Sequence, residues 1–317
     1  MLLTPANLQF MFQTFDRRLQ LGYDTAASVY QRLVTEVPST TEMNVYGWMA
    51  RLPKMREWLG ERYMNNIGAR STTVVNKTYE DTLKIGREKF EDDQFGLFGP
   101  AVQMLGEEAK ILPDRLIATL LDTGNAAGST GFDGQPFFSA NHPQDPDNPG
   151  SPVQANLFTG MPLTPQNAIT VYNAMRVYKG EDALSLGIRP RLLIVGPTNE
   201  IAARQITQME FVSPSGALAI NAPGAVQSNV LKGFFDYVVM DWVDQSTTSA
   251  QGTWYMADVS RPVKPFIWQT RRPLQSTYLN QLTDANVFLR REFIYGVDMR
   301  GAAGLGLWFM AAKVIPV

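Results

Sequence analysis

The stretch from Thr41 to Phe90 constrains the fold most, because its pattern is extended and its length is too great for the core it would have to join. Tyr46, Trp48, Met49, Trp58 and Tyr63 are interspersed there with nine Lys and Arg residues, and the later half alternates through Thr73, Val75, Lys77 and Tyr79. Such alternation marks strands, so the segment reads as an excursion with two hairpin-like limbs. Residues 53–60 leave room for one or two helical turns in its middle. A limb of about fifteen extended residues reaches about 50 Å at roughly 3.3 Å per residue. A compact chain of 317 residues has a radius of gyration of only about 20 Å. The hairpin must lie on something outside its own core, and a neighbouring subunit is the natural candidate.

Around this excursion the apolar spacing predicts a mixed α+β chain. Leu8, Met11, Phe12, Phe15 and Leu19 recur at helical steps, giving a short amphipathic helix over 6–20 that ends near Gly22. Residues 26–37 suit helix or strand, and Pro38 closes them. Val102, Leu105, Ala109, Leu112, Leu116 and Leu120 mark a longer helix with one buried stripe. Pro113 predicts a kink or a split within it, and Gly124 an end. Helices are further expected over 164–179 and 200–208, a buried strand over 192–195 and a long loop over 211–229. Strands are expected over 234–243, 253–257, 265–270, 287–293 and 307–314. Length alone suggests about two compact units.

Composition removes several function classes. The 28 basic and 30 acidic residues nearly cancel, so no global positive field draws the chain onto nucleic acid or anionic lipid. Without cysteine there are no disulfides, thiolate metal sites or cysteine nucleophiles, and one histidine cannot build a multi-histidine centre. Any metal would need oxygen ligands. The start from Met1 to Asn7 has no basic leader, and Asp16, Arg17 and Arg18 interrupt the segment where a signal core would lie. No apolar run approaches the roughly 18 residues of a membrane-spanning helix. A soluble protein made in the cytoplasm is the expectation.

The only histidine lies in the run from Gly131 to Pro143 together with Asp133, Gln135, Ser139 and Asn141, which invites a catalytic reading. His142 as a general base, however, has no nucleophile at triad spacing. Asp133 lies between residues suited to a turn, and Ser139 has no nucleophile elbow. Residues 145–150 place acids and a glycine as in a calcium loop, but Pro149 stands at the fifth place and Asn156 at the twelfth, where a bidentate glutamate belongs. A solvated turn fits better. Gly301, Gly304 and Gly306 lack dinucleotide-binding spacing and precede a strand, so they point to tight packing or a bend. Arg51, Lys54, Arg56, Arg62 and Arg70 are mixed with Glu57 and Glu61, as on a solvated or intersubunit face. The residues assign no catalytic, cofactor-binding or metal site. A metal hydrolase built on Asp133, His142 and Asp145 is a distant alternative.

Five segments in order carry a family resemblance: Leu3 to Leu8, Leu52 to Trp58, the run from Phe132 to Pro143, Arg191 to Pro197, and Phe293 through Gly304. Together they resemble the major head subunit of Mu-like phages, a branch of the Hong Kong 97-type major capsid proteins, over nearly the whole chain. The resemblance implies an amino-terminal arm at 1–38, an extended loop at 39–91, and a peripheral domain with a long spine helix at 92–160. Residues 161–260 would be mainly an axial domain, and 261–317 strands returning to the peripheral domain. It implies a structural protein that assembles as pentamers and hexamers of an icosahedral shell around double-stranded DNA, without cofactor or enzymatic activity. Implied partners are other copies, a scaffold encoded separately, a portal and a maturation protease, with assembly in the host bacterial cytoplasm. Trp48, Trp58 and Tyr63 are the candidate subunit contacts, since aromatic anchors on extensions bury against partners, with local packing inside the hairpin as the other reading. A cellular nanocompartment shell is the alternative with the same fold.

Overall fold

Thr4 opens the first helix by accepting a hydrogen bond from the Asn7 amide through its hydroxyl, with Pro5 next in place. In the computed structural model, which describes residues 4–48, 70–92, 96, 98–148, 150–212, 227–245 and 250–317, this helix α1 spans Pro5–Thr25. It buries Leu8, Phe12, Phe15 and Leu19, the expected stripe. It does not end near Gly22, because Gly22 is a contact point and not a stop. A Cβ at Gly22 would lie 2.0 Å from the Gln103 carbonyl oxygen, and one at Gly106 would lie 2.1 Å from that of Leu19. The two helices touch backbone to backbone there.

After a 3-10 turn at Tyr30–Arg32 come β1 (Val34–Pro38), β2 (Met43–Trp48), β3 (Arg70–Val75), β4 (Lys77–Gly86) and the short helix α2 (Arg87–Glu91). β2 and β3 pair antiparallel from Met43 with Val75 to Trp48 with Arg70, so the two limbs of the excursion pair with each other as in a hairpin. The expected helical turns at 53–60 lie outside the described residues. The spine follows as α3 (Phe98–Thr123), which runs unbroken through Pro113 where a kink or split was expected. Packing outweighs the lost donor: Pro113 is buried, and Asp114 beside it is held from outside the helix, accepting from the amides of Val29 at 3.1 Å and Tyr30 at 2.6 Å. Burial raises the Asp114 carboxyl above its usual range, against the pull of those hydrogen bonds.

The chain continues through β5 (His142–Pro143), β6 (Val153–Gln154), β7 (Leu157–Thr159), α4 (Pro165–Arg176), β8 (Leu192–Val195), α5 (Glu200–Gln208), β9 (Phe211–Val212) and β10 (Gln227–Ser228). It ends with β11 (Asp236–Val239), β12 (Trp254–Ala257), β13 (Phe266–Leu279), α6 (Ala285–Arg290), β14 (Glu292–Leu305) and β15 (Ala311–Ile315). Thr164 and Pro165 start α4 as Thr4 and Pro5 start α1. One sheet has the order β1-β13-β14-β4 and another the order β11-β8-β12-β15-β7. Segment 261–317 serves both, giving β13 and β14 to the first and β15 to the second. The larger core surrounds the five-stranded sheet; a smaller one joins α1, the start of α3 and β14 through Phe12, Phe15, Phe293 and Tyr295.

One expected strand is wrong in kind. Val287, Phe288 and Leu289 belong to α6, which Arg291 ends in a left-handed conformation at φ 55°. An apolar run this short fits helix and strand equally, and only Val287 of the three is buried. The final strand starts at Ala311, after a 3-10 turn at Trp308–Met310, and not at 307.

Candidate functional site

The run from Gly131 to Pro143 folds into a polar corner beneath β15. Gly134 adopts φ 79°, its amide donates to the Gly131 carbonyl, and Asp133 Oδ1 accepts from the Gln135 amide at 3.3 Å. This turn aims Asp133 Oδ2 at His142, 2.6 Å from Nδ1. His142 is 0% exposed and stacks flat on the Trp308 indole, with ring centres 3.9 Å apart and planes 3° from parallel. Its Nε2 lies 3.0 Å from Asn156 Oδ1.

Asn156 fixes the protons. Its Oδ1 also accepts from the Ser139 amide at 2.8 Å, and its Nδ2 donates to the carbonyls of Phe137, Trp308 and Ala311 at 2.8 to 3.1 Å. Reversing the amide would set nitrogen against a donor and oxygen against three acceptors, so the orientation is determined. His142 Nε2 therefore carries hydrogen and donates, while Nδ1 is the nitrogen that bonds Asp133. The backbone of Asn156 adds bonds from its own amide to Ser139 and from the Lys313 amide to its carbonyl. In the sequence Asn156 stands out only as a misfit at the twelfth place of a calcium-like loop, and Trp308 and Lys313 only as members of an expected strand, so nothing there joins the three to His142.

Lys313, 0% exposed, extends the corner toward the end of α3, where its Nζ donates to the Asp122 carbonyl at 2.6 Å and to Asn125 Oδ1 at 2.9 Å. Burial pushes its amine down to about 8, opposed by the charge of Asp122. An ordinary lysine holds its proton to about 10.5, so between these values the unfolded chain binds the extra proton and stability rises with pH. Below pH 8 the cost of burying the charge is undiminished. Urea unfolding of unassembled subunits from pH 7 to 10 is expected to show this rise, and Lys313→Met to flatten it. Equal slopes in both chains would contradict the assignment.

The corner lacks what catalysis needs. Both ring nitrogens of His142 are occupied, by Asp133 and Asn156, and Ser139 Oγ accepts from the Asn141 amide at 3.1 Å. Asp145 lies elsewhere, its carboxylate within 4.8 Å of those of Asp147 and Glu181. Its loop is a set of local turns, with the Asp147 amide donating to Asp145 Oδ1 and the Gly150 amide to Asn148 Oδ1. The three hydrolase candidates thus do not form one site. The late glycines serve packing: a Cβ at Gly304 would fall 2.4 Å from Val74 Cγ2, and one at Gly301 2.6 Å from the Gln269 carbonyl oxygen. Of the candidate contacts, Trp48 ends β2 opposite Arg70, while Trp58 and Tyr63 lie outside the described residues, as do Arg51, Lys54, Arg56 and Arg62.

With the site excluded as a reaction centre, likeness to known proteins decides. The model of the family described as Mu-like prophage major head subunit gpT matches residues 8–164, 154–243 and 239–315. The chain belongs to this family. It is 27% identical to the major capsid protein of Escherichia phage Mu over 99% of this chain and 75% of that protein. It is 26% identical to the Mu-like prophage FluMu major head subunit of Haemophilus influenzae, over 98% of this chain and 74% of that one. A solved procapsid of bacteriophage JBD30 matches 99% of this chain and 76% of its own with TM-score 0.58 and 26% identity. This Mu-like head subunit has the Hong Kong 97-type fold. It is a major capsid protein, a structural component of the phage head and virion and not an enzyme. Among the described residues no helix is long and apolar enough to cross a membrane.

Proposed function

We propose that copies of this chain form pentamers and hexamers that close into an icosahedral shell around double-stranded DNA. Residues 1–38 act as an arm, 39–91 as a loop laid across a neighbour, 92–160 as a peripheral domain on the α3 spine, 161–260 mainly as an axial domain, and 261–317 as returning strands. The observation that carries this reading is the hairpin's outer face. Met43, Val45 and Val75 are 49%, 62% and 49% exposed, whereas Val74 is buried. An apolar strand face held away from the core needs a partner. Trp48, at the end of β2, and Trp58 and Tyr63, between β2 and β3 in sequence, are its anchors on the next subunit.

Many such modest contacts, repeated by symmetry, sum to a stable shell. The net charge of −2 suits packaging of DNA without sequence readout. A separate scaffold, a portal and a maturation protease complete the assembly, which takes place in the bacterial cytoplasm. Alanine at Trp48, Trp58 and Tyr63 in turn is expected to cut particle yield about tenfold or more at one position at least, with soluble subunits retaining their helix content. Parent-like yields from all three variants would remove these residues from the interface.

A further inference from the structure

The hairpin of β2 and β3 forms a two-stranded sheet of its own, and the chain links it to the four-stranded sheet through residues 39–42 on one side and Asn76 on the other. A side chain bridges the two sheets. Gln269, on β13 and 0% exposed, donates through Nε2 to the Val74 carbonyl at 3.0 Å and to Asn76 Oδ1 at 2.8 Å, while its Oε1 accepts from the Tyr46 hydroxyl at 2.9 Å. Asn76, also buried, passes the tie on: its Nδ2 donates to Ser39 Oγ at 2.8 Å and to the Thr41 carbonyl at 2.9 Å. The Val74 and Thr41 carbonyls can only accept, so both amides are fixed in orientation. One glutamine thus holds β2, β3 and the strap that leads into β2. Beside it, Val74 packs against Gly304 of β14.

We infer that Gln269 is the positioning residue that sets the angle of the hairpin against the four-stranded sheet, and so the angle at which copies of this chain join. The inference rests on the shell reading and adds to it the residue that aims the loop. The root of a lever magnifies error. Each limb of the hairpin has six paired residues, which span about 20 Å at roughly 3.3 Å per residue, so a tilt of about 10° moves the far end by about 3 Å. A polar contact does not survive such a shift. Copies close into a shell only where each joint repeats one rotation, and a joint that varies gives open or irregular assemblies. Apolar packing of Val74 alone would let the hairpin rock, because burial has no preferred direction. Hydrogen bonds to three partners on one planar amide fix direction as well as distance.

The chain has no cysteine of its own, so an engineered disulfide can replace the glutamine's hold. A Cβ at Gly304 would lie 3.4 Å from Val74 Cβ, near the roughly 3.5–4.5 Å that a disulfide spans. Gln269→Leu, expressed with the scaffold, is expected to cut uniform closed shells about tenfold, the effect of one buried hydrogen bond left unmade, with irregular assemblies in their place. Hydrogen exchange in its unassembled subunits should quicken over 43–48 and 70–75 and stay slow over 192–195. Adding V74C with G304C and oxidising the subunits should restore uniform shells, and assembly under reducing conditions should not. Parent-like shells from Gln269→Leu, or shells lost and not restored once the disulfide has formed, would overturn the inference. A disulfide that cannot form would place Val74 away from Gly304 and overturn it too. Fast exchange spreading to 192–195 has the same consequence, since Gln269 would then hold the fold as a whole. A parent chain that forms no shells overturns the shell reading instead.

Discussion

Replacing Asn156 with alanine is expected to destabilise the unassembled subunit by about 3–5 kcal/mol, since each buried polar group left without a partner costs about 1–3 kcal/mol. The change orphans the carbonyls of Phe137, Trp308 and Ala311, the Ser139 amide and His142 Nε2 together. Asn156→Asp sharpens the test, because it keeps the volume and the acceptor but sets oxygen against three carbonyls. It should be at least as damaging. Urea midpoints measure both, and a loss under about 1 kcal/mol for either would show that the corner is solvated and not the sealed joint described above. His142→Ala is expected to cost less, because it frees one partner on each side.

Gly106→Val is expected to detach α1 from α3, at a cost of about 3 kcal/mol, the upper range for overpacking a close contact. A first side-chain carbon there meets backbone, the Leu19 carbonyl oxygen at 2.1 Å and the Tyr23 amide nitrogen at 2.8 Å, which no rotamer change relieves. The damage should be local. Hydrogen exchange is expected to quicken across 8–22 and leave 192–195 and 254–257 protected, because these two strands sit in the separate, larger core. Unchanged exchange in α1 would mean that the helices can part at no cost.

Elements whose residues make their own case were legible in the sequence. The run Leu192–Val195 is buried at every position and forms β8, and Glu200–Gln208 is α5 as its spacing and starting residues indicate. The hairpin was readable because alternation over many residues admits one interpretation. What the sequence hid depends on distant partners. Gly22 looks like a helix stop until Gln103 is seen against it. Val287, Phe288 and Leu289 fit either period, and the left-handed Arg291 that closes α6 has no signature. The corner was half legible: Asp133 and His142 stand nine residues apart and draw attention, but Asn156, their organiser, shows in sequence only as a misfit at the end of a calcium-like loop. Its partners come from near 137 and from 308–311, a convergence that only the fold creates.

The same convergence explains how a run that resembles an active site belongs to a shell subunit. Buried histidine, aspartate and asparagine whose side-chain polar atoms are all engaged, with Lys313 bonded to Asp122, make a rigid joint between the end of the spine helix and β15. A subunit that must hold one shape through many identical contacts gains from such a joint, and a reaction centre would need it open.

Electron microscopy of the chain expressed together with its scaffold tests the central claim most directly. Closed, uniform shells built from pentamers and hexamers are the result predicted here. Persistent monomers, without shells, rings or capsomers across ionic strength and protein concentration, would contradict it.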